Sequence, residues 1–81
     1  MTKDKLLEYL NCGREIEFKY NGKMYSITQG MLNGKHVFSF CEFEKESTEV
    51  EKAIDVLDIK RDGLSVLDMV TSIDDDSFWI Y

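Results

Sequence analysis

From Glu15 to Phe43 apolar and polar side chains alternate with a period of two, and the alternation is broken twice by the same dipeptide, Asn21-Gly22 and Asn33-Gly34. A period of two predicts half-buried strands. Asn-Gly is the favoured pair for a two-residue type I′ hairpin, because both turn residues need positive φ. With these turns in place the strands pair residue by residue. Phe18 falls opposite Tyr25 and Ile16 opposite Ile27, then Ile27 opposite Phe40 and Gln29 opposite Phe38. The two turns independently assign Ile16, Phe18, Tyr25, Ile27, Phe38 and Phe40 to one buried face, and such agreement marks a foldable pattern. A bulge at Gly30 would slip the third strand and exchange Phe38 and Phe40 for Val37 and Cys41, so the unslipped register is expected.

On either side the period lengthens to that of a helix. Thr2 to Leu10 places Leu6, Leu7 and Leu10 on one face, with Gly13 near the end. After Phe43, Thr48-Glu49-Val50-Glu51 fits a capping box, and Val50, Ala53, Ile54 and Leu57 follow as an amphipathic stripe. Asp62-Gly63 breaks the chain. Leu64 to Ile73 reads as a further helix, capped by Ser65 with Asp68 and burying Leu67 and Val70. The last four residues, Phe78-Trp79-Ile80-Tyr81, are large and apolar; a strand at a sheet edge or a segment across the helices is expected to bury them. The pattern predicts an α+β fold, order α-β-β-β-α-α-(β). It is a three- to four-stranded antiparallel β-meander with an N-terminal helix and two C-terminal helices, packed on Val50, Ile54, Leu57 and Leu67. Residues 1–81 form a single compact domain.

Composition narrows the class. With 43% hydrophobic and 12% aromatic residues in 81, one core is affordable and disorder is not expected. No stretch approaches the roughly 20 apolar residues of a bilayer span. No apolar signal segment follows Met1-Thr2-Lys3-Asp4-Lys5, so a cytoplasmic protein is expected. Cys12 and Cys41 form no CxxC pair; reduced, partly buried thiols are expected, with one bridge as the alternative. The net charge of −6 is uneven: residues 1–40 carry six basic and four acidic side chains, residues 41–81 four basic and twelve acidic. Such a field disfavours direct binding to nucleic acid or to anionic membranes.

Candidate chemistry is sparse. His36 is the sole histidine, and Cys41, five residues along the same extended strand, lies about 17 Å away, beyond any nucleophile–base contact. Asp74-Asp75-Asp76 lacks the alternation of a calcium loop and reads as a solvated turn. No phosphate loop, zinc spacing or nucleotide fingerprint occurs, so neither enzyme activity nor a metal or other cofactor is expected. The second face of the sheet carries Glu15, Glu17, Lys19, Ser26, Thr28 and Ser39, with Met24, Val37, Cys41 and Phe43 among them. Met24 is expected to face Phe43 across two strands. Unless a helix or the C-terminal segment covers it, the pair makes an interaction patch with a polar rim, and Met31 and Leu32 make a second. Helical spacing would set Glu51, Asp55 and Asp58 on one exposed side of the second helix, with Asp74, Asp75 and Asp76 extending it.

The two Asn-Gly-Lys turns, the Thr48-started segment and Asp62-Gly63-Leu64-Ser65-Val66-Leu67 resemble small uncharacterised proteins encoded by phages and mobile elements of Gram-positive bacteria. That resemblance implies acidic inhibitors that imitate DNA charge as one function to weigh. The expected function is a non-enzymatic protein-interaction module. The alternative is an acidic DNA-mimic inhibitor of a nucleic-acid-binding protein, whose partner would be basic. A homodimer is the remaining partner class.

Overall fold

The computed structural model describes residues 1–81. Helix α1 spans Lys3–Asn11. The Thr2 hydroxyl accepts the Lys5 N–H at 3.2 Å, satisfying one of the donors that a helix start leaves free. The helix ends in a Schellman turn. Gly13 lies at φ 81°, its N–H bonds the Leu10 carbonyl, and the Arg14 N–H bonds that of Tyr9.

Strands β1 (Ile16–Tyr20), β2 (Lys23–Leu32) and β3 (Lys35–Glu42) form the expected meander. Asn21-Gly22 and Asn33-Gly34 have positive φ at both residues, and Phe18 pairs with Tyr25, Ile16 and Phe40 with Ile27, and Phe38 with Gln29. The register runs through Gly30 without a bulge. Two further strands close the sheet to five, in the order β4-β3-β2-β1-β7, with β4 at Thr48–Val50 and β7 at Phe78–Ile80. The C-terminal segment is therefore an edge strand, antiparallel to β1.

The segment from Thr48 departs from the sequence expectation. Thr48–Val50 does not open a helix; it pairs with β3, Val50 opposite Phe38 and Thr48 opposite Phe40. Its hydroxyl accepts from the Arg61 guanidinium at 2.8 Å and so caps nothing. A capping box is worth about 1 kcal/mol. Backbone pairing on the free edge of β3 and burial of β-branched side chains outweigh it. Helix α2 is reduced to one turn, Ala53–Val56. Ala53, Val56, Leu57 and Ile59 are buried while Ile54 is exposed and Val50 half-buried, so the anticipated Val50–Ala53–Ile54–Leu57 stripe does not form.

Asp62-Gly63 is a third two-residue hairpin, with φ 55° and 82°, between β5 (Lys60–Arg61) and β6 (Leu64–Ser65). Helix α3 therefore starts later than expected, at Val66–Thr71, but with the predicted cap: Ser65 and Asp68 exchange a capping box. It buries Val66, Met69 and Val70, and leaves Leu67 half-exposed. A single 3-10 turn, Asp75–Ser77, leads into β7.

All six sheet residues assigned to the core are buried, packed with Leu6, Leu10, Val56, Leu57, Val66, Met69 and Val70. Phe18, Tyr25, Phe40 and Phe78 form a chain of rings with centroids 5.4 to 6.2 Å apart. Close aromatic contacts of this kind give a small domain much buried area from few residues. The helices thus lie on one face of the sheet and leave the other open.

Candidate interaction surface

Strand alternation builds the open face in rows. One row crosses four strands as Trp79, Glu17, Ser26 and Cys41. Beside it, Lys19 and Met24 pair across β1 and β2, and the Phe43 N–H bonds the Met24 carbonyl at 2.9 Å. Met24 and Phe43 are thus neighbours, as the turns predicted. Met24 is half-buried and Phe43 is 45% exposed.

The interior of this face is bound by short polar contacts. The Ser26 hydroxyl and the Cys41 thiol lie 3.3 Å apart. The Tyr81 phenol donates to Glu17 Oε1 at 3.0 Å, and its pKa is held above 10.0 chiefly because ionising would forfeit that hydrogen bond. Cys41 is partly buried, whereas Cys12, expected to be so, is exposed; both are free thiols.

Trp79 and Tyr81 were missed as surface residues. They were expected to be buried with Phe78 and Ile80, but a strand sends alternate side chains to opposite faces and only one face is covered. Phe78 and Ile80 point to the helices and are half-buried; Trp79 is 44% exposed and Tyr81 60%. The alternation Phe-Trp-Ile-Tyr beside an edge was the signal that could have found them.

Met31 and Leu32 form a separate feature. β1 pairs with β2 only as far as Ile27, and β4 pairs with β3 only from Phe38 to Phe40, so the tip of the β2–β3 hairpin projects beyond its neighbours. Met31 is 69% exposed and Leu32 49%. They are paired with His36 and Lys35 respectively, and alternation points them to opposite sides of the hairpin. Seven residues of strand separate Met31 from Met24, about 23 Å, so the two apolar candidates form no single patch.

The acidic candidates are also divided. Asp55 and Asp58 belong to the segment around α2, which packs on β3, β4 and α1; Glu51 lies outside the helix and pairs with Lys35 at 3.3 Å. Asp74, Asp75 and Asp76 belong to the 3-10 turn beside β1 and β7, at the other side of the sheet. Every one of the six is exposed, but they do not form the continuous side that helical spacing suggested.

Between α1, α3 and β7 lies an open groove of about 850 Å³, its apolar wall formed by Tyr9, Phe78 and Ile80 and its rim by Lys3, Lys5 and Thr71. No group of three or more His, Cys, Asp or Glu side chains is placed to hold a metal ion. No helix is long and apolar enough to cross a membrane. Comparison with family models, with curated proteins and with solved structures gives no match.

Proposed function

We propose that this chain is a non-enzymatic protein-interaction module of the cytoplasm, docking a protein partner through the open sheet face around Met24 and Phe43. The observation that carries the reading is Phe43, 45% exposed beside Met24 on a sheet face left without helices. Large apolar side chains at neighbouring positions on a surface, rimmed by polar residues, are typical of interface cores. Cytoplasmic residence is supported by the two free thiols, one of them exposed.

The test is the double substitution Met24→Lys with Phe43→Lys, applied to partner capture and to thermal unfolding. Loss of binding with a nearly unchanged midpoint supports docking at this site. A large fall in the midpoint would make the pair structural core, and retained binding would move the site elsewhere.

Imitation of DNA by the acidic half has less support, since Asp55 and Asp58 stand apart from Asp74–Asp76 rather than following one track. That reading requires a basic partner, steep loss of binding with salt and competition by nucleic acid. Replacing Asp55, Asp58, Asp74, Asp75 and Asp76 with Asn would slow association under it and leave the Met24–Phe43 docking unaffected.

A further inference from the structure

The two edges of the five-stranded sheet are guarded differently. β4 reads Thr-Glu-Val and is flanked by Glu46 and by Glu51 and Lys52. Charges in and around an edge strand discourage pairing with another chain. β7 reads Phe-Trp-Ile with Tyr81 after it and, unlike β4, carries no charged side chain within the strand; its flanking charges, Asp74, Asp75 and Asp76, lie on the 3-10 turn before it.

Backbone bonding determines which groups of β7 are free. Glu15 and Tyr81 exchange both main-chain hydrogen bonds, at 3.3 and 2.8 Å. Alternation along an antiparallel ladder then makes Glu17–Trp79 the next bonded pair and leaves Ile16–Ile80 unbonded. The main-chain groups of Phe78 and Ile80 therefore point away from β1. The Phe78 N–H turns back to the Asp75 carbonyl, so the free groups facing outward are the Ile80 N–H and the carbonyls of Phe78 and Ile80.

We propose that β7 is the interface of a homodimer, two copies of the chain pairing this strand with itself, antiparallel, about a two-fold axis at Trp79. The free donor at Ile80 and the free acceptor at Phe78 stand one residue either side of Trp79. A two-fold axis there brings each Ile80 N–H to the Phe78 carbonyl of the second copy, with no existing bond broken. Trp79 then faces Trp79 of the second copy in a non-hydrogen-bonded pair, where Cα atoms approach to about 4.5 Å and cross-strand aromatic contacts are strongest. On the helix face, Phe78 and Ile80 of the second copy fall beside Ile80 and Phe78, extending the apolar wall of the 850 Å³ groove. Such an isologous contact closes on itself, which protects an uncharged edge from open-ended aggregation.

The dimer is independent of docking at Met24 and Phe43. β3, which leads into Phe43, lies three strand spacings from β7, about 14 Å, so either can fail while the other stands.

The experiment is light scattering and sedimentation of the isolated chain at high micromolar concentration, followed by cross-linking. The wild-type chain is expected to have the mass of two copies, and Trp79→Lys that of one, because two like charges would then oppose each other. In a background of Cys12→Ser and Cys41→Ser, Trp79→Cys is expected to form a covalent dimer on mild oxidation. Glu17→Cys is not, since those positions in the two copies would stand three strand spacings apart, about 14 Å, against a disulfide limit of about 7 Å between Cα atoms. A monomeric wild-type chain overturns the proposal, including the case in which an extended segment of another protein adds to β7. So does a dimer that survives Trp79→Lys, or one that cross-links at position 17 and not at 79. If Trp79→Lys loses amide dispersion in NMR spectra, the wild-type mass and the cysteine pair decide alone.

Discussion

Gln29 on β2 donates a side-chain amide hydrogen to the Leu10 carbonyl at the end of α1, 2.8 Å away. Its second amide hydrogen reaches the Arg14 carbonyl at 3.0 Å. With both donors committed, Oε1 is left facing His36 Nε2 at 2.9 Å, so that nitrogen carries the proton. A polar residue on the buried face of the sheet thus ties down the final turn of the helix, whose last carbonyls have no partner within it. Gln29→Leu is expected to cost about 0.5–1.5 kcal/mol in a urea titration, the net worth of an ordinary hydrogen bond, because the Leu10 carbonyl keeps the Gly13 N–H and the Arg14 carbonyl is open to water. Exposed His36 replaced by Ala is expected to cost below about 0.5 kcal/mol.

Register is tested by a pair of substitutions on opposite faces. Phe40 is fully buried between Phe18 and Tyr25, under the Arg61 guanidinium at 5.2 Å. Phe40→Ala is expected to cost about 3–5 kcal/mol. Glu17→Ala, on the open face, is expected to cost below about 0.5 kcal/mol. Comparable losses at the two positions would contradict the face assignment.

The difference in legibility between the two halves of the chain has a physical cause. From Ile16 to Phe43 each element is specified locally: alternation sets the faces, and Asn-Gly sets where the strands reverse. Nothing distant is needed to decide the register. From Thr48 onward the outcome depends on what β3 leaves unpaired. Thr48 and Val50 suit a strand as well as a helix start, and only the free edge beside Phe38 and Phe40 decides between them. Asp62-Gly63 is different: it carries the same turn chemistry as the two Asn-Gly pairs, and its strands are two residues each, too short to show a period. On the surface, Met24 and Phe43 were legible because they lie in the meander. Trp79 and Tyr81 were not, because their exposure depends on which edge the last segment joins.

Two glycines with opposite backbone needs should respond in opposite directions. Gly63 lies at φ 82° with open space around it, so Gly63→Ala meets no clash but strains the turn. A loss of about 1 kcal/mol is expected, measured by thermal unfolding. Gly30 has open space and no positive φ, inside a strand. Gly30→Thr is expected to stabilise by about 0.5–1 kcal/mol, by restricting the unfolded chain and favouring the extended backbone.

The last prediction concerns alkaline pH. Burial raises the Tyr25 phenol above 10.0, with the Glu42 carboxylate adding to the effect, while Tyr81 is raised mainly by its hydrogen bond to Glu17. For both residues the folded state holds the neutral phenol more firmly than the unfolded chain does. Their contribution is therefore fully present below pH 10 and is lost as pH climbs through the raised folded values. Stability to urea is expected to be flat with respect to these groups below pH 10 and to fall above it. Tyr25→Phe should flatten that fall, because no phenolate then has to be buried against Phe18 and Phe40. In an ultraviolet titration of tyrosine, Glu17→Gln should return Tyr81 toward 10 and leave Tyr25 where it was, since Glu17 contributes to the first shift and not to the second. Movement of both residues together would mean that the two shifts share a cause, contrary to the opposite faces of the sheet on which they arise.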